Sequence, residues 1–396
     1  MGTGITAPLG FRAASVAAGI KPDRPDLALV VADATCSAAG LFTANLAKAA
    51  PVVVSEEHLA GGRARAIAIN AGCANAATGE AGLADARETA ELVARHVGCA
   101  AREVVVASTG VIGVRLPMEK LRAGIALAAG RLSRGGGAEA ACAILTTDTK
   151  PKEVAVEFRN GERTCVLGGM AKGAGMIAPN LATMLAFFTT DAALAPALLQ
   201  RALRHAVGES LNRITVDGDT STNDCAVLLA SGASAATAID RDGAAYRAFQ
   251  AALAEAAARL AEMLVRDGEG VTKVARVEVE GARTPQDADR VARTIAESPL
   301  VKTALHGGDP NWGRVLAALG RAGVALDVEG VSIWIGDVHV AEHGAAVRYE
   351  EKAAAAAMQQ DPVRLRVRLG EGDASGWMWT SDLTSGYVDI NAHYRS

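Results

Sequence analysis

Short runs of Val, Ile, Leu and Ala, almost free of charge, recur along this chain between longer segments with helical spacing. That alternation most narrows the fold, because uncharged runs of this length read as buried strands and the segments between them as covering helices. Residues 27–32, 51–55, 66–70 and 103–108 are the first such strands. The segment 80–97 carries apolar residues at helical spacing with acidic residues early, and 117–132 opens on Pro117, suited to a first helical position. Residues 152–158 and 163–167 flank Asn160-Gly161 and predict a hairpin. The second half repeats the mixture, with helices over 195–208 and Ala244–Arg266 and strands over 225–231, 274–280, 331–336 and 364–369. Asp309-Pro310 predicts a further helix start, with Asp309 as cap. The expected class is α/β (mixed α+β), built of layered sheets and helices; spacing alone does not give strand order.

The chain has 396 residues, so two lobes or one large composite fold are expected. No Pro/Gly/Ser linker separates lobes, Gly135 to Gly137 reads as a loop, and no repeat is evident. Half the residues are hydrophobic and 21% are charged, which excludes a disordered protein. Forty basic residues against 44 acidic ones give a net charge of −4, which argues against a nucleic-acid binder. The N-terminus lacks the pattern of an export signal, and the apolar stretch from Ala252 to Leu264 is broken by Glu255, Arg259 and Glu262. No membrane partner is expected. Six cysteines without ligand spacing fit free thiols in a reducing cytoplasm, the expected location.

The most unusual stretch runs from Gly168 to Asp191, GGMAKGAGMIAPNLATMLAFFTTD. Its glycines permit close backbone approaches, and Lys172 stands alone in an apolar loop before a strand over 184–190. Three readings compete. A phosphate loop requires GxxxxGK[ST], whereas here the lysine precedes a glycine and no Ser or Thr follows it. A structural glycine turn is the second. The third is a strand headed by a threonine that chain cleavage frees. Its α-amine, a group that ordinarily titrates at about 7.7–8.0, then serves as base to its own hydroxyl.

The same stretch closely resembles the self-cleaving segment of the glutamate N-acetyltransferase / ornithine acetyltransferase family of arginine biosynthesis. Further matches run in order: PLGFRAA (Pro8 to Ala14), NAGCANAATG (Asn70 to Gly79), ASTGVIG (Ala107 to Gly113), TTDTKPK (Thr146 to Lys152), NRITVDGDTSTND (Asn212 to Asp224), DGEGVTK (Asp267 to Lys273), GDPNWGR (Gly308 to Arg314) and YVDINAHYRS (Tyr387 to Ser396). The resemblance implies a DmpA-like, Ntn-hydrolase-like fold that cuts itself between Ala182 and Thr183. An α chain of residues 1–182 and a β chain of 183–396 would result, two of each assembling together. It makes Thr183 the nucleophile and Thr109 and Gly110 the oxyanion pair, in a turn after the strand 103–108. It makes Thr146, Lys172, Thr183, Glu269, Asn391 and Ser396 the substrate-binding residues. N-acetylornithine and glutamate are the implied substrates. No cofactor is implied, although some members of the family take acetyl-CoA as acetyl donor.

Residue chemistry agrees with these assignments without requiring them. A lysine suits the substrate α-carboxylate and a glutamate suits its distant ammonium. Local sequence alone equally fits Thr109-Gly110 as a turn of small residues and Glu269 as a solvated helix-end charge; at the last residue, Ser396, disorder is the default. The oxygen-rich loop 217–224 lacks the spacing of a calcium loop and reads as a hydrogen-bonded turn near the site. His339 and His343 follow a strand and end at Gly344, so no metal is expected. Two rivals stay open: an amidohydrolase or aminopeptidase whose acyl-enzyme is discharged by water, and a non-catalytic amino-acid-binding protein.

Overall fold

The computed structural model describes residues 2, 4–178 and 184–393. Its strands, in chain order, are β1 (Phe11–Val16), β2 (Leu27–Phe42), β3 (Arg63–Cys73), β4 (Val104–Val111), β5 (Lys152–Asn160), β6 (Arg163–Lys172), β7 (Leu185–Thr190) and β8 (Ile214–Thr215). There follow β9 (Cys225–Ala230), β10 (Val274–Ala282), β11 (Ser332–Ile335), β12 (Val338–Glu342), β13 (Ala345–Ala346), β14 (Val363–Arg368) and β15 (Ala374–Ser381). The described chain forms two compact units. One comprises the chain up to Asn212 with Asp219–Leu264, the other Arg213–Gly218 with the chain after Leu264. The third crossing, after Leu264, falls in the last turn of the helix Ala244–Arg266, and as expected no linker marks it.

The first unit is organised by one sheet of order β4-β3-β2-β9-β7-β6-β5, with β1 paired to β2. Period-two alternation decides which side chains go where. On β2, Ala28, Val30 and Ala32 join a core with Ala140, Ala141 and Ala143 of the helix Gly137–Ala143. Leu27, Leu29 and Val31 join the opposite core, with Ala50 and Val54, Ala86, Ala90 and Val93, and Leu121 and Ile125. Those residues come from the helices Ala50–Leu59, Gly79–Val97 and Met118–Ala129. With both faces covered, the central strands need no polar side, and all six residues of β7 and of β9 are buried. The hairpin expected around 160–161 is β5–β6, closed by Asn160↔Arg163 with Gly161 at φ +63°.

One expected strand is a helix. Residues 51–55 lie in Ala50–Leu59, with Pro51 in the first turn. The β-branched run Val52–Val54 costs only tenths of a kcal/mol per residue in a helix. Packing outweighs that: Ser55 Oγ donates to Val106 O at 2.7 Å and accepts from the Val106 N–H at 2.9 Å.

The second unit holds a sheet of order β13-β12-β11-β14-β10-β15-β8. Its core gathers Val277 and Val279, Ile333 and Ile335, and Leu365 and Val367 against the helices Pro285–Ala296, Pro299–Gly307, Trp312–Gly320 and Glu351–Ala357. The intervening residues are charged or aromatic. Arg276 stacks on Trp377 at 4.5 Å and Arg366 on Trp334 at 4.5 Å. The helix expected to start at 309–310 begins instead at Trp312, because Asn311 Oδ1 accepts from the Arg314 N–H at 3.1 Å and so is the cap. His339 stacks on Trp334 with centroids 4.6 Å apart, and His343 Nδ1 lies 2.9 Å from Glu329 O. The mixed α/β class of layered sheets and helices is what the chain adopts.

Candidate active site

Lys172 is the last residue of β6, not a member of a loop, and so are Gly168 and Gly169 strand residues. The reason is the close passage of the N-terminal segment: a Cβ on Gly168 would collide with the carbonyl of Gly4. A strand needing bare backbone at that point looks like a glycine loop in sequence. The Lys172 side chain is buried, and its Nζ donates to Thr146 Oγ1 at 2.7 Å and, at longer range, to Thr109 Oγ1 at 3.4 Å.

Thr109 and Gly110 also lie within a strand, β4, rather than in a turn after it. The pairing with β3 breaks there: Cys73 faces both Thr109 and Val111, a bulge that leaves Gly110 at φ +128°. A Cβ on Gly110 would run into the backbone of Gly72 and Cys73. Only glycine fits, and the kink turns the end of the strand.

Asp148 ties the corner together. Its Oδ1 accepts from Lys152 Nζ at 2.7 Å and from the Gly173 N–H at 2.6 Å; its Oδ2 accepts from the Thr146 N–H at 3.1 Å and lies 3.7 Å from Lys172 Nζ. Burial alone would raise this carboxyl, but the ammonium groups of Lys172 and Lys152 outweigh it and hold Asp148 well below the ordinary carboxylate range. Arg24 Nη2 donates to Thr146 O at 3.1 Å. Lys21 Nζ donates to Ala143 O at 3.1 Å and Leu145 O at 2.8 Å, and burial followed by the Arg24 charge lowers it to about 8. One carboxylate thus stands among two lysines, with two further cations around the segment 143–146. The corner is suited to an anionic ligand group. Asp224, just before β9, is fully buried; burial pushes its pKa well above the usual range, and its Oδ2 has no hydrogen-bond partner among the described residues.

In the second unit, Glu269 is buried rather than solvated at a helix end. Its Oε2 accepts from Asn391 Nδ2 at 2.7 Å, on the helix Ser385–His393. Gly270, at φ +67°, lets the loop pass against that helix, where a Cβ would meet the Gly386–Tyr387 backbone. The segment is pinned by Thr384 Oγ1 donating to Gly270 O at 2.7 Å.

The ArgJ family profile matches residues 12–396. The chain belongs to the ArgJ family. Among relatives, the arginine biosynthesis bifunctional protein ArgJ of Symbiobacterium thermophilum is 48% identical over 99% of this chain and 98% of its own. That of Methylococcus capsulatus is 48% identical over 98% of this chain and 95% of its own. A crystal structure of arginine biosynthesis bifunctional protein ArgJ from Bacillus halodurans is 43% identical, with a TM-score of 0.52, and covers 54% of this chain and 100% of that one. Within this ArgJ-family chain the expected site residues fall into two groups. Thr109, Thr146 and Lys172 meet in the first unit, with Gly110 beside them, and Glu269 and Asn391 meet in the second. Ala182, Thr183 and Ser396 lie outside the described residues. Sequence reading passed over Lys21, Arg24, Asp148 and Lys152 as site residues, although the last two stand in the quoted TTDTKPK.

Proposed function

We propose that this chain is a glutamate N-acetyltransferase of arginine biosynthesis, moving the acetyl group from N2-acetylornithine to glutamate through an acetyl-Thr183 intermediate. The observation that carries this reading is the junction of the buried Lys172 ammonium with the Thr109 and Thr146 hydroxyls, where a carboxylate and a developing oxyanion can be met side by side. Thr183 is freed by self-cleavage after Ala182, leaving residues 1–182 as α chain and 183–396 as β chain. A supporting coincidence is one of length: the Bacillus halodurans chain, matched from end to end, covers 54% of this chain, the share that residues 183–396 represent.

The mechanism follows from the residue types. The neutral α-amine of Thr183 takes the hydroxyl proton as Oγ attacks the acetyl carbonyl. Thr109 Oγ1 and the Gly110 N–H hold the oxyanion; losing one such donor costs about 2.7–4 kcal/mol of barrier. The C–N bond breaks, the amine proton passes to the leaving nitrogen, and ornithine departs. The α-amine of glutamate then attacks the acetyl ester, and Thr183 Oγ regains its proton. Lys172 and Thr146 hold the α-carboxylate that both amino acids share, while Glu269, oriented by Asn391, meets the ornithine ammonium; Ser396 completes the set. No cofactor is needed. The relatives are named bifunctional, which favours acetyl-CoA as a second donor to the same threonine. The active form contains two α and two β chains in the cytoplasm.

Incubation with N-acetylornithine alone tests the reading. Mass spectrometry is expected to find one acetyl group on the peptide beginning at Thr183, with ornithine released in equal amount. Glutamate, and not water, then discharges it as N-acetylglutamate. Rapid discharge by water would mean a hydrolase, and an uncut chain that binds ligand without turnover would mean a binding protein.

A further inference from the structure

The loop before β9 reaches the candidate oxyanion strand through one side chain. Asn223 is buried, and its Nδ2 donates to two carbonyls on adjacent strands: Ala74 O, just past the end of β3, at 2.7 Å, and Ser108 O, in β4, at 2.8 Å. Its Oδ1 accepts from Thr222 Oγ1 at 2.6 Å, and its backbone N–H donates to Ser221 Oγ at 3.1 Å. An amide has two N–H donors, and here both go to carbonyls. The opposite orientation would set Oδ1 against two acceptors, so the orientation is fixed by chemistry.

The place where this amide acts is the place where the strands part. Cys73 faces both Thr109 and Val111, and the Ala74 N–H already donates to Val111 O at 2.9 Å. A bulge gives up ladder bonds, so its geometry is set from outside the ladder. Because the peptide unit is planar, holding the Ser108 carbonyl sets the direction of the Thr109 N–H and the placement of the residue that follows it. The other flank is held by Ser108 Oγ donating to Asn70 Oδ1 at 2.6 Å, and by Asn70 Nδ2 donating to Cys73 O at 2.8 Å.

We infer that Asn223 is the positioning residue of the oxyanion site, clamping β3 to β4 at the bulge so that the Thr109 hydroxyl and the Gly110 amide stay aimed at one point. The inference rests on the oxyanion role proposed above for that pair. A site of this kind tolerates errors of about 0.5 Å, and a displacement near 1 Å costs on the order of a hundredfold in rate. Asn223 does not touch substrate; it acts through the strand.

The test uses the full-length chain, with its processing state read by intact mass before kinetics. Asn223→Asp keeps size and shape but cannot donate to the two carbonyls. It is expected to lower kcat for acetyl transfer about ten- to a hundredfold and to leave KM for N-acetylornithine within about threefold. Thr222→Val removes only the hydroxyl that fixes the amide, and should give the same pattern at about three- to tenfold; it serves if the Asp variant does not fold. Thr109→Ala combined with either should lose less than the product of the single losses, since both act on one group. Unchanged kcat in both Asn223→Asp and Thr222→Val, or full multiplication with Thr109→Ala, overturns the positioning role. If Thr109→Ala alone leaves kcat unchanged, the oxyanion reading itself fails, and this inference with it.

Discussion

Lys172, in the first unit, and Lys302, in the second, each carry an ammonium into the interior, at 7% and 3% exposure. Around Lys302 every donor is used: Nζ reaches Thr380 Oγ1 at 3.2 Å, Ser381 Oγ at 3.1 Å and the Ser381 carbonyl. Burial lowers it to about 8, against the pull of Asp217, Asp382 and Glu297. Around Lys172 the one short bond among the described residues goes to Thr146, Thr109 is at 3.4 Å, and the nearest carboxylate, Asp148, is already engaged by Lys152 at 2.7 Å. Burial does not separate structure from function here. A cation whose hydrogens all end on one corner of a strand fixes architecture, whereas one left with long contacts beside a committed carboxylate suits a ligand.

Four measurements bear on that contrast, in descending order of effect. Asp148→Asn removes the carboxylate from Lys152, whose side chain is 2% exposed, and should cost about 3–5 kcal/mol in denaturant unfolding. Because the folded carboxyl titrates below its ordinary range, that stabilisation is present above about pH 4 and is lost as pH falls further; the Asn variant should lack this acid-side loss. Lys302→Met strands the oxygens of Thr380 and Ser381 and should cost on the order of 3 kcal/mol, with kcat/KM per processed, folded molecule unchanged. A fall in kcat/KM as large as that in stability would erase the distinction between the two lysines.

Lys172→Met should do the reverse. Efficiency should fall about ten- to a hundredfold for N-acetylornithine and for glutamate alike, with stability within about 1 kcal/mol of the parent. A loss confined to one substrate would show that the two do not share a carboxylate site. The smallest effect is a pH dependence. A lysine lowered from 10.5 to about 8 destabilises the fold fully below pH 8, and the penalty fades as pH rises toward 10.5. The stability of the parent relative to Lys302→Met should therefore grow by about 1 kcal/mol between pH 7.5 and 9. Lys21, also lowered to about 8, is present in both proteins and cancels. A flat difference would mean that Lys302 titrates normally.

The parts of the fold that sequence conveyed are those set by local periodicity. The helix Ala244–Arg266 was legible to the residue, and β7 and β9 to within one. Residues 51–55 were not, because a run of valines has the same local look in a buried helix as in a strand and only the bonds to Val106 decide. At the site, residue identities were legible through family resemblance while their settings were not. Glycines at 168 and 110 read as loop and turn, yet each marks a strand passing close to other backbone. The partners of Asp148, Asn223 and Lys302 include residues 25, 115 and 79 positions away in sequence, beyond the reach of any local pattern.

β7 lies in the middle of the first sheet, with six residue pairs to β6 on one side and six to β9 on the other. In the proposed processing, the break comes only two residues ahead of it. The two chains would then stay joined through β6 and β7, neighbouring strands of one continuous ladder, so the molecule loses a covalent bond without losing that interface. Denaturing gels would show two polypeptides where gel filtration of native protein shows no fragment shed. The nicked form would also be hard to rebuild from separately made halves: the second half begins with a strand whose six partners on β6 exist only in the first. Folding as one chain and cutting afterwards is the order of events this topology favours.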